Sequence, residues 1–489
     1  MYIHKLSVRE VRSLAEAELS FSVPSVEEGK GLPNVTLLLG DNGTGKTTLL
    51  GSVAIACLGP ALEDSGFVPY YQVRRPAGEL EQPSEDISNE AVFEGELYLH
   101  HVDAPEIEPG ESQAFDTSVK LSLHFGKESI RPGPREQFAW KALFGDKTPG
   151  FMVLGYGATR RVDRSESFDP SQSERQRRRR YHRVAGLFED HLPLTPVNFV
   201  LKTLREDSRW PAFAQLLGSL LPEELEVLVE QGRKGSAAFV HYGRRLPFWA
   251  LSDGYRAYVG LICDLLYQLQ TSSSSSQDPR KVQGIVLIDE IDLHLHPSWQ
   301  RQVVPRLSRA LPALQFVLTT HSAIVAGTIP SSSLRVLERE GDKVGVVVDA
   351  ASVWGKSADE ILVSRYFGLD STRAPEADLS LRKLAQRAMA GDEDAAERYL
   401  MILAGEEDAP AEGEVEARGT QTKKAGAKKK PAKKKPAKKK TAKKKTAKKK
   451  PAKKKPAKKK PAKKKPAKKK AVKKKAVKKK KAESKRGRR

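Results

Sequence analysis

Gly40-Asp41-Asn42-Gly43-Thr44-Gly45-Lys46-Thr47 matches G-x-x-x-x-G-K-S/T at every fixed position and directly follows the largely apolar run Val35 to Leu39. Such a run followed by a glycine-rich turn reads as a buried strand that delivers a phosphate-binding loop to a helix, here Thr48 to Cys57. Glycines at 40, 43 and 45 let the backbone curl until its N–H groups face a polyphosphate, and the helix turns its positive end on the same anion. In this reading Gly40, Asp41, Asn42, Gly43, Thr44, Gly45 and Thr48 cradle the phosphates, Lys46 reaches the outer ones, and Thr47 ligates Mg2+.

Ile285-Val286-Leu287-Ile288-Asp289-Glu290 supplies the matching partner. A run that is apolar at every residue marks a central parallel strand, because helices cover both faces of such a sheet. Its end presents Asp289 to the magnesium shell and, one residue on, Glu290 to an attacking water. Without a phosphate loop elsewhere, the same pattern would be a strand followed by an acidic turn.

The 489 residues carry a formal net charge of +25, but the charge is segregated. From Gln421 to Arg489 there are 40 Lys or Arg against one Glu, a net +39; the preceding 420 residues carry 46 basic and 60 acidic side chains, a net −14. The chain therefore reads as an acidic globular body with a cationic tail. The two cysteines, Cys57 and Cys263, sit in apolar helix-like contexts, which excludes a disulfide framework or cysteine-built zinc site and points to a reducing compartment. No secretory signal occupies Met1 to Val11 and no apolar run reaches 18 residues, which argues against export and against membrane spanning.

Met1 to Val23 reads as one or two short strands, Gly59 to Glu90 as a long loop, and Ala91 to Leu99 with Ser118 to His124 as paired antiparallel strands. Phe151 to Leu154 is another strand, running into Gly155-Tyr156-Gly157-Ala158-Thr159-Arg160. Arg177 to Arg180 lies in a Ser-rich polar stretch and reads as an exposed loop, the alternative being a phosphate or nucleic-acid contact. Phe199 to Val229 has helical periodicity, Leu261 to Leu269 belongs to another helix, and Gln315 to Thr319 and Val344 to Val348 are strands. Ser357 to Ala404 reads as a small helical domain, Glu406 to Thr420 as a linker, and the P-A-K-K-K repeats from about Pro431 as a segment with too few apolar side chains to fold. The expected domains are 1–350, with an inserted β and helical lobe at about 85–250, then 351–405, then 406–489.

Between the two nucleotide motifs lies Leu251-Ser252-Asp253-Gly254-Tyr255-Arg256. Taken alone, this is a helix N-cap. With the phosphate loop before it, and the acidic strand and Leu318-Thr319-Thr320-His321-Ser322 after it, the order resembles the ATP-binding-cassette (ABC) type of P-loop ATPase. More specifically, the chain is similar to soluble bacterial AAA family ATPases, grouped with DNA-repair and chromosome-organising ATPases and with overcoming-lysogenization-defect ATPases. The resemblance covers roughly residues 1–345. It implies an α/β cassette with an antiparallel β-subdomain and an inserted helical lobe, using ATP and Mg2+. It also implies Ser252 and Gly254 as signature residues, His321 as a switch histidine, and the segment ending at Pro297 as one that crosses a dimer interface. Asp253 and Tyr255 depart from the usual L-S-G-G-Q.

A signature helix far from its own phosphate loop is useful where two copies pack head to tail, so that Ser252 and Gly254 of one chain hold the outer phosphate bound by Lys46 of the other. The candidate catalytic set is Glu290, His321 and Lys46; the candidate metal ligands are Thr47 and Asp289. His294 and His296, two apart before a proline, suggest a metal pair, but a metal role is not expected there, because the resemblance gives that segment an interface role and no cysteine or third histidine is near in sequence. The lysine triplets resemble the tails of linker histones and bacterial histone-like proteins, and imply salt-sensitive, sequence-independent DNA contact in a cytoplasmic, nucleoid-associated protein; a solubilising appendage and an anionic-surface anchor are the alternatives. The leading expectation is an ATPase whose dimer closes on ATP, acting on or near DNA in repair or defence. The second is a nucleotide-controlled scaffold that holds a separate effector, and a P-loop kinase is a weaker third.

Overall fold

The computed structural model describes residues 1–24, 31–62, 65–74, 89–101, 103, 107–132, 152–162, 179–228, 238–273, 277–340, 343–347, 353–364 and 366–404. The chain divides into two units, 1–420 and 421–489, and the described residues all belong to the first. The expectations for Phe151, Arg177, Arg178, half of the 59–90 loop, the linker and the tail lie outside the described residues.

In chain order, β1 (Tyr2–Val11) and β2 (Leu14–Ser20) precede β3 (Val35–Gly40) and the helix α1 (Lys46–Leu58). Next come β4 (Glu90–His100), β5 (Ser112–His124), β6 (Lys127–Pro132), β7 (Val153–Tyr156), β8 (Arg161–Val162), the helical turn α2 (Arg179–His182) and β9 (Pro193–Leu194). The helices α3 (Val197–Glu206) and α4 (Trp210–Leu220) lead into β10 (Leu225–Leu228), β11 (Ala238–His241) and β12 (Arg244–Pro247). The long helix α5 (Asp253–Ser272), β13 (Gly284–Ile288), α6 (Pro297–Gln300), α7 (Val303–Ala310), β14 (Leu314–Thr319) and α8 (Ala323–Ala326) follow. β15 (Leu334–Glu340), β16 (Lys343–Val347), α9 (Ala358–Leu362), α10 (Pro375–Met389) and α11 (Glu393–Ala404) complete the described chain.

Four sheets result. The central one has the order β16-β15-β3-β14-β13-β7, parallel except for the β16 edge. Its strands alternate between two core layers. Leu37, Val286, Phe316 and Leu318 face the layer that holds Val259, Ile262 and Leu266 of α5, whereas Leu38, Ile285, Leu287 and Val317 face the layer that holds α1. The antiparallel sheet β2-β1-β4-β5-β6 shares that second layer, so α1 lies between two sheets and is buried on nearly every side. An all-round apolar helix is what such a position demands. At roughly 2 kcal/mol per buried aliphatic side chain, Leu49, Leu50, Val53 and Ile55 anchor the phosphate loop more firmly than any single hydrogen bond. The result is a mixed α/β fold with antiparallel sheets and helical insertions; among the described residues no helix is long and apolar enough to cross a membrane.

Several elements differ from the sequence reading. β5 begins at Ser112 rather than Ser118, because the mostly polar residues 112–117 still pair with β4 although most of their side chains face outward. The helical pattern of 199–229 is two helices and a strand. Asp207 takes an extended backbone after α3, and Pro211 opens α4 at a position where its missing N–H does no harm. The sheet β10-β11-β12 was not anticipated; its hairpin closes at Tyr242 and Gly243, with φ of +46° and +72°. Arg180 is buried rather than exposed, because Tyr181 and Val184 of the same turn are drawn into the core and Tyr181 packs edge-on to Phe67 at 5.4 Å.

Candidate nucleotide-binding site

The site forms at the carboxyl ends of β3, β14, β13 and β7, four neighbours in the central sheet. Open parallel sheets bind ligands at this edge, where the loops leaving adjacent strands diverge. β3 ends at Gly40, whose φ of +151° goes with a backbone so close to β15 that a Cβ would lie 2.7 Å from the Leu337 carbonyl oxygen. Gly45 caps α1 in the left-handed region, and no side chain caps the helix, so its first amides remain directed at the loop. The buried Lys46 folds its ammonium over the loop and donates to the carbonyls of Gly40 (2.6 Å) and Asp41 (2.9 Å). Burial lowers its pKa, opposed by the charges of Asp289, Asp41 and Glu290. Thr44 closes the turn by donating its hydroxyl to Asp41 O at 2.9 Å.

Thr47 joins the loop to the acidic strand, its Oγ1 donating to Asp289 Oδ2 at 2.7 Å. Thr319, at the end of β14, donates its hydroxyl to Asp289 Oδ1 (2.5 Å) and accepts the amide of Glu290 (2.8 Å). From the other side, Asp289 N donates to Tyr156 O at 2.8 Å. Arg160 donates Nη1 to Asp289 O (3.3 Å) and Nη2 to Glu290 O (2.7 Å). Burial pulls the Arg160 pKa down to about 10, against the opposing pull of Asp289, Asp292 and Glu290, so it stays charged at neutral pH. Glu290 itself has φ of +47°, in the left-handed region that favours glycine.

One hydroxyl and one carboxylate on a shared edge suit Mg2+, which takes few protein oxygens and completes its shell with water and phosphate. Among the described residues there is no group of three or more His, Cys, Asp or Glu able to hold a metal.

Ser252, the N-cap of α5, is exposed and makes no capping bond with its side chain. Gly254 lies against the backbone of residue 294, where a Cβ would stand 2.4 Å from the His294 carbonyl oxygen. Tyr255 turns inward: its hydroxyl donates to Glu224 Oε1 at 3.0 Å, and its ring meets Trp299 edge-on at 4.3 Å. Trp299 Nε1 donates to the same Glu224 oxygen at 2.8 Å. Burial pushes the Glu224 carboxyl up, but its own amide, Tyr255 and Trp299 together hold it below the usual range. His321 is exposed; next to it, the Thr320 hydroxyl joins Asp292, and Ser322 Oγ donates to Gln300 Oε1 at 2.7 Å. His296 is engaged as the cap of α6.

The structure thus gathers residues 40–48, Asp289 and Glu290 into one corner. Among the described residues Ser252 and Gly254 make no hydrogen bond to the phosphate loop. Thr319 and Arg160 lie outside the set expected from the sequence, although Thr319 shares the Leu318-Thr319-Thr320-His321-Ser322 stretch with His321 and Arg160 ends the turn that follows the strand at Phe151 to Leu154.

Residues 162–326 match the protein family described as "AAA domain, putative AbiEii toxin, Type IV TA system", a span that holds Ser252, Asp289, Glu290 and His321 but not the phosphate loop. The chain is 24% identical over 374 residues to the Septu protein PtuA of Bacillus mycoides (strain KBAB4), covering 76% of this chain and 45% of that protein. It is 46% identical over 88 residues to the Retron Ec83 probable ATPase of Escherichia coli, covering 18% of this chain and 16% of that one. The chain spans less than half the length of these curated relatives. Among solved structures it is similar to the SMC head domain from Thermotoga maritima, with 16% identity, a TM-score of 0.37, and coverage of 71% of this chain and 98% of that one. The chain therefore carries an ATPase-type domain related to those of Septu and retron proteins.

Proposed function

We propose that this chain binds and hydrolyses ATP between two copies of itself, and that the cycle controls a separate effector protein. The observation that carries the ATPase reading is the corner where Thr47, Asp289 and Thr319 are hydrogen-bonded beside the phosphate loop, with Glu290 held next to them. Residues 40–48 wrap the phosphates, and Lys46 exchanges its two carbonyl partners for the outer phosphate oxygens. Thr47 and Asp289 hold Mg2+, which when bound neutralises phosphate charge. Glu290 orients the attacking water and accepts its proton. The exposed Ser252 and the backbone at Gly254 complete the partner's site, and the exposed His321 contacts the transferred phosphate.

The effector reading is favoured over DNA remodelling by the matched family, whose description names a toxin of a toxin–antitoxin system. The basic tail then concentrates the protein on DNA, in keeping with defence against foreign nucleic acid and a nucleoid-associated location. In this reading the cassette spans 1–350; of the small helical domain at 351–405, Val353, Ile361 and Tyr366 pack into the cassette core, and α10 and α11 form a small cluster of their own.

Steady-state ATP turnover and ATP-dependent dimerisation, measured on the full chain and on Glu290→Gln and Ser252→Arg, test the proposal. Glu290→Gln should lower turnover by about a hundredfold or more while accumulating the ATP-bound dimer. Ser252→Arg should bind ATP as a monomer and not dimerise. Unchanged turnover in Glu290→Gln removes that residue from the chemistry.

A further inference from the structure

We infer that Arg160 is a positioning residue for Glu290: it fixes the backbone that carries the hydrolytic carboxylate, and it ties that backbone to the segment around residues 179–195. The inference rests on the ATPase reading and adds to it a residue that neither the loop nor the acidic strand contains.

Glu290 has to leave β13 through a left-handed turn, at φ +47°. For a residue with a Cβ such a conformation is held only where its surroundings over-determine it, at a cost of about 1–2 kcal/mol. Two side chains do this. Thr319 takes the Glu290 amide at 2.8 Å, and Arg160 takes the carbonyls before and after the turn, Asp289 O at 3.3 Å and Glu290 O at 2.7 Å. The peptide units on both sides of Glu290 are therefore fixed by charge-assisted or buried hydrogen bonds. A guanidinium fork suits the task because its two amino groups reach two acceptors in one plane, which an ammonium cannot do. The three nearby carboxylates offset the burial of its charge, and its bonds go to main-chain oxygens, not to the phosphate loop.

Arg160 is itself seated from below. Gly155 N donates to Arg183 O at 2.8 Å, and the chain at Gly157 passes so near residue 186 that a Cβ would stand 2.2 Å from the Gly186 carbonyl oxygen. A cavity of about 180 Å³ opens beside this contact, bordered by Arg160, Arg183, Thr195 and Asp264. The turn can thus follow displacements of the 179–195 segment, and the guanidinium conveys them to the backbone of Glu290. Hydrolysis then depends on the geometry of the 179–195 segment, which supplies none of the proposed phosphate-binding residues.

The test is ATP turnover by the full chain and by Arg160→Ala, Arg160→Lys and Gly157→Ala, each checked for folding by thermal melting. Arg160→Ala should lower kcat between about tenfold and a hundredfold, the range expected for misplacing a catalytic group, with KM for ATP within a factor of about three. Millimolar methylguanidinium should restore part of the lost kcat, and Arg160→Lys should fall between Ala and wild type. Gly157→Ala should lower kcat with Arg160 intact. If Arg160→Ala fails to fold, Arg160→Lys carries the same kcat-against-KM split. A folded variant with unchanged kcat, or one whose KM rises while kcat is kept, overturns the inference. Wild type and Glu290→Gln alike lacking turnover would sink the ATPase reading itself, whereas wild-type turnover insensitive to Arg160 sinks only the positioning role.

Discussion

Thr319 uses a single hydroxyl twice, donating to Asp289 and accepting from Glu290 N. Replacing it with Val keeps the shape and removes both bonds, leaving a buried carboxylate oxygen and an amide each short of a partner. Thr319→Val should fold and lower kcat by about tenfold, equivalent to roughly 1.4 kcal/mol of barrier, which steady-state kinetics on the folded variant checks. That Lys46, Thr47, Asp289 and Glu290 come together was legible in the sequence, because their spacing follows from the loop and strand that carry them. Thr319 and Arg160 were not, because their work is done on atoms 29 to 130 residues away along the chain, and for Arg160 wholly on main-chain oxygens that every residue possesses.

Among the elements, the helix pair α3 and α4 is held by a local ion pair. Asp207 and Arg209, with 10% and 9% of their side chains exposed, pair at 2.8 Å, and Arg209 reaches on to Ser273 Oγ at 2.6 Å, just beyond the end of α5. The hydrogen bonds from Arg209, ahead of the opposing effect of burial, hold the Asp207 carboxyl well below its usual range. A carboxylate depressed in the folded state contributes stability above its unfolded pKa and loses it as pH falls towards the folded one. Asp207→Asn should therefore be destabilised by about 2 kcal/mol near neutrality, and its gap to wild type should narrow below about pH 4, as thermal melts across pH would record. This junction is also where helical periodicity misled: the apolar spacing runs on through Asp207 and Pro211, and only the backbone shows the break. The central parallel strands were easier to read, since burial on both faces makes β13 and β14 apolar almost throughout. The short strands β10 to β12, four residues each, carry too little alternation to stand out.

For the whole molecule, charge is segregated along the chain. The first 420 residues carry a net −14 and the last 69 a net +39, so an acidic body would be repelled by DNA without its tail. A chain ending at Thr420 should lose DNA binding at moderate salt and keep its basal ATP turnover, and the full chain should show a steep fall of affinity with salt. Fluorescence anisotropy on duplex DNA, with turnover measured in parallel, checks both; retention of salt-sensitive binding by the truncated chain would place the DNA contact on the body. The strand order of the central sheet also governs how the molecule is born. β3 has as its sheet neighbours only β14 and β15, both made after residue 313. At elongation rates of about 5–20 residues per second, the strand that carries the phosphate loop is synthesised roughly 14–55 s before either neighbour. The nascent chain must thus hold the strand that ends in its phosphate loop without either sheet neighbour until β14 and β15 are made.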